Sequence, residues 1–129
     1  MIEIEALLTT YLKAETGERI VGETPAAIDE PWVKLTLLDV LDRTRPTDHL
    51  LRYPVQLDCY AGTPGPTGQG EAFDIASAIR GFLLDMKGET FSDCVVTNVE
   101  VRGPRRIVDT ALTPPRQRYI LEAEIDVHS

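Results

Sequence analysis

The chain has 129 residues, 43% of them hydrophobic, and its 21 acidic side chains against 13 basic ones give a formal charge of −8. That length suits one domain with a real core and is short for two, while the acidic balance argues against a general binder of nucleic acid or anionic membrane. Cys59 and Cys94 lie inside apolar segments without C-x-x-C spacing, which reads as two reduced, buried thiols rather than a disulfide or metal pair.

The first residues, MIEIEALLTTYLKAE, carry acids where a secretory signal carries bases, and no apolar run approaches the roughly 18 residues of a membrane span. From Ile2 to Glu15, Ile4, Leu7, Leu8, Tyr11 and Leu12 recur at helical spacing, which predicts an amphipathic helix ended by Gly17. After a short RIVGE segment, PWVKLTLL alternates Val33, Leu35 and Leu37 with Trp32, Lys34 and Thr36, the period of a half-buried strand. A polar connector over 39–50 leads to LRYPVQLDCYA, where Tyr53, Val55, Leu57 and Cys59 alternate with Pro54, Gln56 and Asp58. Pro54 cannot donate to a ladder, so it belongs at an edge, a bulge or the non-bonded side.

Gly65 and Gly70 in YAGTPGPTGQGEAFDIA have the separation of a phosphate-loop glycine pair, but Glu71 and Ala72 stand where that loop needs lysine and a hydroxyl. Glu71 and Asp74 would also repel a phosphate, so the segment reads as a mobile loop over 62–70 feeding a core-packing helix, with no cofactor expected. In that helix Ala72, Ile75, Ala76, Ile79, Phe82, Leu83 and Met86 form one broad apolar stripe. Beyond Gly88, CVVTNVEVRG places Val95, Thr97, Val99 and Val101 on one face, and RYILEAEIDVHS places Tyr119, Leu121, Ala123, Ile125 and Val127 on one face with Glu122, Glu124 and Asp126 opposite. RIVDTAL between them reads as a short strand or arm, and TPPRQ interrupts it. The expected fold is α+β, a mainly antiparallel sheet with two helices packed on one face. Connections at 39–50, 62–70 and 103–118 are long for so small a domain.

The residues offer little for catalysis. His49 and His128, the two histidines, sit in a polar connector and next to the C-terminus, and no nucleophile signature accompanies them. Neither they nor the cysteines have ligand spacing, so no metal is expected. Acid pairs such as Asp39 and Asp42, or Glu122 and Glu124, have the spacing of solvated turn or strand positions.

Charge, in contrast, is strongly segregated. Residues 102–118 hold Arg102, Arg105, Arg106, Arg116 and Arg118 against Asp109, a local +4, whereas residues 1–101 hold 8 basic and 17 acidic residues. A basic arm on an acidic body is self-complementary between copies, and arginine suits such contacts because its planar fork pairs bidentately with carboxylates. A solvated loop balancing nearby acids is the plain alternative, and contact with passing DNA a third. The connector residues Asp39, Asp42, Arg43 and Arg45 join the five arginines as candidates for a subunit or partner interface.

Taken in order, the opening helix IEIEALLTTYL, ERIVGETP before PWVKLTLL, YPVQLDCYA leading into EAFDIASAIRGFL, VVTNVEVRGP, a connector with DT, and the closing PRQRYILEAEIDV resemble the tail terminator (tail completion) proteins of long-tailed bacteriophages. The resemblance is one of order and spacing over nearly the full chain. It implies a small acidic α+β protein that forms a hexameric ring at the head-proximal end of the tail in the virion. There it would cap the tail tube protein, stop polymerisation and present a surface to the head–tail connector protein. It implies no enzymatic activity, no cofactor, no membrane and no sequence-specific nucleic-acid binding, with DNA passing through the lumen. A head-to-tail joining or stopper protein shares the description, and a small cytoplasmic ligand-binding domain is the reading from another class.

Overall fold

The computed structural model describes residues 4–23, 25, 30–38, 41–42, 50–91, 94–109 and 116–128. Helix α1 (Ile4–Thr16) is followed by β1 (Ile20–Val21), β2 (Trp32–Leu37), β3 (Leu41–Asp42) and β4 (Leu50–Pro64); a 3-10 turn over Pro66–Gly68 enters α2 (Gln69–Asp85), and β5 (Thr90–Phe91), β6 (Cys94–Asp109) and β7 (Arg116–His128) complete the order. The strands form one sheet ordered β1-β2-β4-β7-β6-β5, with β3 paired to β4. β1 lies parallel to β2 and every other pairing is antiparallel. This is the α+β architecture expected from the sequence.

Strand alternation explains why both helices share one face. Val33 and Leu35 of β2, Tyr53, Val55, Leu57, Cys59 and Ala61 of β4, and Leu121, Ala123, Ile125 and Val127 of β7 enter one buried cluster with Ile4, Leu8 and Leu12 of α1 and Ala72, Ile75, Ala76, Ile79 and Leu83 of α2. Alternate residues of each strand point one way, so a single in-register set of apolar side chains makes a surface that two amphipathic helices can cover. α1 stops where Gly17, at φ +73°, donates its N–H to the Lys13 carbonyl at 2.9 Å, a left-handed helix end that glycine adopts at least cost. Tyr11 ties α1 to α2 by donating its hydroxyl to the Phe82 carbonyl at 3.1 Å.

Three local expectations are corrected. First, β6 does not alternate cleanly: Val96 pairs with Val127 and Asn98 with Asp126, so Thr97 is an extra residue. The bulge flips the phase, burying Val96 and Val99 while Val95 is 37% exposed. Second, the connector over 103–118 is not a loop at its two ends, because β6 runs on to Asp109 and β7 starts at Arg116, making an extended hairpin. Third, the segment over 62–70 is shorter than its composition suggests. β4 reaches Pro64, and Gly68 is buried.

Pro54 lies in β4, an interior strand, and its position accounts for that. β2 pairs with β4 from Val55 to Tyr60 and β3 pairs with Leu51 and Arg52, so Pro54 falls in the gap between two neighbours. Its carbonyl still accepts the Leu38 N–H at 2.9 Å.

Gly68 is required by close approach. A Cβ there would lie 2.5 Å from the Thr63 carbonyl oxygen and 2.7 Å from the Ala61 Cβ, whereas one at Gly81, mid-way along α2, would meet open space. Gly68→Ala should therefore destabilise the protein by about 1–3 kcal/mol, and Gly81→Ala should stabilise it by about 0.5–1 kcal/mol. Chemical denaturation of the two variants checks both signs.

Candidate functional site

The sheet face away from the helices is built as rows of cross-strand neighbours. One row runs Trp32, Tyr60, Arg118, Ile107; the next Lys34, Asp58, Ile120, Arg105; the third Thr36, Gln56, Glu122, Arg102. In the first row the Trp32 and Tyr60 rings stack with centroids 4.4 Å apart and planes 8° from parallel. The Arg118 guanidinium carbon lies 5.7 Å from the Tyr60 ring centroid, and Arg118 donates to the Tyr60 hydroxyl at 3.1 Å. Arg118 is also 3.8 Å from Asp58. Side chains opposite one another on a pleated sheet are close enough for such stacking and pairing.

Further along the same face Arg52 reaches Asp126 through Nε at 2.7 Å and Glu124 through a terminal nitrogen at 2.8 Å. The hydrogen bond to Asp126 raises the Arg52 pKa above its ordinary value despite the opposing effect of burial. Arg52 thus balances two acids that β7 places on one face by strand periodicity. Arg102 approaches Glu122 at 3.5 Å with a 71% exposed side chain, geometry worth little in water.

The five arginines of the basic segment do not act as a group. Arg116 is 5% exposed and Arg118 is packed in its row. Arg102, Arg105 and Arg106 are exposed. Arg105 pairs across from Ile120 and Arg106 across from Tyr119, so the hairpin carries Arg102 and Arg105 on the far face and Arg106 on the helix face. Arg106 donates to the Gln117 side chain at 3.0 Å. Of the connector candidates, Asp39, Arg43 and Arg45 lie outside the described residues, while Asp42 belongs to β3, where it pairs with Leu51.

A bend shapes this arm. Arg102 pairs with Glu122 and Arg105 with Ile120, so β6 has one residue more than β7 across the interval. Gly103 stands at φ +100°, and a Cβ there would lie 2.6 Å from the Ile120 carbonyl oxygen. Only glycine fits that backbone and that approach. Arg102, Gly103, Arg105, Ile120 and Glu122 line a shallow groove of about 230 Å³ at the bend. A second depression, of about 420 Å³, lies on the helix face between Gln69, Gly70, Phe73 and Tyr119. Phe73, 46% exposed, meets the Tyr119 ring edge-on at 5.4 Å there.

The glycine-rich entry to α2 carries its own anion. Glu71 accepts the Gly62 N–H at 2.7 Å and the Thr63 N–H at 3.3 Å, two backbone donors of the kind a bound phosphate would need. Burial, and then the neighbouring Glu71 carboxylate, raise the Glu18 pKa. Cys59, fully buried, has its thiol pushed up by burial and by Asp58, which leaves it protonated and poorly nucleophilic at neutral pH. No group of three or more metal-ligating side chains occurs among the described residues, and no helix among them is long and apolar enough to cross a membrane. Comparison with protein-family models and with curated proteins finds no match.

Sequence reasoning missed the exposed Phe73 and the division of the arginines. Phe73 follows Ala72 of the apolar stripe but is one helical position off it, a signal that was present. The packing of Arg116 and Arg118 depends on the pairing of β7 with β4, which the interrupted pattern hides.

A carboxyl whose pKa is raised on folding favours the folded state when protonated and loses that contribution as pH rises through the folded value. Glu18→Gln should therefore raise the melting temperature at pH 7 by about 1–2 °C, a partly exposed group being worth a few tenths of a kcal/mol. The gain should vanish as pH falls below the carboxylate range. Thermal melts of both proteins from pH 3 to pH 8 check this.

Proposed function

We propose that the protein is a structural virion component, a ring-forming cap at the head-proximal end of the tail of a long-tailed bacteriophage. In this role it ends tube polymerisation and offers the surface to which the filled head is joined. The observation that carries the reading is the segregation of charge, with Arg102, Arg105 and Arg106 exposed on an extended hairpin while the body is acidic. Identical subunits close into a ring when one surface complements a different surface on the next copy. Opposite charges on two parts of one chain supply that difference and also fix the order of contact.

The order of elements, which resembles the tail terminators, supports the same reading. The proposed partners are further copies of the chain in a hexamer, the tail tube protein on one side and the connector protein on the other. An acidic protein lets DNA pass through the lumen without gripping its phosphates, since phosphate contacts need unpaired basic side chains. The role involves no catalytic step.

Electron microscopy of a lysate made without this gene tests the proposal. Overlong tubes with unattached heads are the expected result. Tails of normal length that fail to join heads would move the assignment to a joining protein, and unaffected virions would contradict any tail role.

A further inference from the structure

The sheet ends in two unlike edges. On one side β5 pairs only with Cys94 and Val95, and the next outer bonds are those of Val96, whose N–H goes to the Glu89 carbonyl and whose carbonyl accepts the Gly88 N–H. From Asn98 to Asp109, no strand among the described residues pairs with the outer side of β6.

Which groups that edge presents follows from the ladder. The Pro54 carbonyl accepts from Leu38 on the β2 side, so the polar groups of residue 54 face away from β7. Pro54 stands opposite Glu124, whose polar groups consequently face β6 and meet Glu100. Because antiparallel positions alternate, the N–H and C=O of Val99 and Val101 point off the sheet. The outward phase of Val96, carried through the one-residue bulge at Thr97, gives the same result. An open edge is usually blunted by proline, charge or a bulge, and here Pro104 and the bend at Gly103 protect only its far part. Exposed Arg102, Arg105 and Arg106 flank the open part on both faces.

The opposite edge is β1, a two-residue strand with no outer partner among the described residues. The exposed side chains around it are acidic, Glu15 at the end of α1, Glu23 just after β1 and Glu30 before β2. Arg19, half-buried, is the one basic side chain in that stretch and donates to the Glu30 carbonyl at 3.2 Å.

We infer that the β6 edge receives the β1 edge of a second copy of this chain, extending the sheet from one subunit into the next. Main-chain bonds from Val99 and Val101 supply the ladder, and Arg102, Arg105 and Arg106 meet Glu15, Glu23 and Glu30. The two edges differ and lie at opposite ends of one sheet, so the contact runs head to tail and closes into a ring or continues. The inference rests on the ring-forming role proposed above and specifies how the ring is joined.

Sedimentation velocity of the full chain at low and high salt tests it with three proteins. Val101→Pro removes an N–H that the fold does not use, so its circular dichroism should match the wild type and its melting fall only by what the partly buried Val101 side chain contributes, while self-association weakens by about tenfold or more. Arg102→Glu with Arg105→Glu and Arg106→Glu, and separately Glu15→Arg with Glu23→Arg and Glu30→Arg, should each dissociate, and mixing the two charge-reversed proteins should restore assembly because each edge then finds its opposite. A mixture that stays dissociated overturns the edge pairing, as does a folded Val101→Pro protein that assembles like the wild type; rings in the wild type alongside either result would leave the ring role standing. A wild-type chain that stays monomeric at every concentration, alone and on tail tubes, contradicts both.

Discussion

Everything else in the structure depends on β7 being paired along both sides. β4 meets it from Leu50 to Pro64 and β6 from Val95 to Asp109. Its odd-numbered residues from Tyr119 to Val127 form the floor under the helices, and its even-numbered residues from Arg118 to Asp126 set the positions of the charged rows opposite. A one-residue slip would put Glu122, Glu124 and Asp126 into the core, so register and burial enforce each other. The same pairing, continued from Tyr119 back to Arg116, carries the ends of an arginine-rich stretch into the sheet.

The face away from the helices shows how side-chain pairing across strands keeps a sheet surface specific. Arg52 joins two acids on the neighbouring strand, Arg118 lies over Tyr60, and Tyr60 lies over Trp32. Each contact links β4 to an adjacent strand and so favours one register over its alternatives. Near the helix entry, Glu71 performs the equivalent task for the loop amides. These side chains stabilise the scaffold, whereas Arg102, Arg105 and Arg106 stay exposed on the hairpin.

How much of this was legible depended on how cleanly a segment kept its period. The α2 stripe and the β7 alternation were readable because every apolar residue in them serves one surface. β6 misled because Thr97 inserts one residue, and with Val95, Val96, Val99 and Val101 all apolar in the sequence either phase looks acceptable. The outer parts of the hairpin were hidden by Arg105 and Arg106, residues that read as a connector until a paired neighbour supplies the ladder. β1 and β3 are two residues each, too short to carry any period. The candidate site was legible as a charge count, but its division into packed and exposed arginines was not, since that follows from cross-strand neighbours: Arg118 lies over Tyr60 and near Asp58, while Arg102 and Arg105 on the same face stay exposed. Pro54 was read correctly as an exception to the ladder, while the gap between β2 and β3 that admits it is a tertiary fact.

On the proposed function, an acidic subunit with a basic hairpin would end tube growth by capping it. The most direct measurement of this is the elongation of purified tail tube protein in vitro, followed by light scattering and imaged at its endpoint, with this protein added well below the tube protein concentration. Growth that stops early, with a ring at one end of each tube, is the expected result. Tubes that elongate at the same rate to the same length, with bare ends, would contradict it.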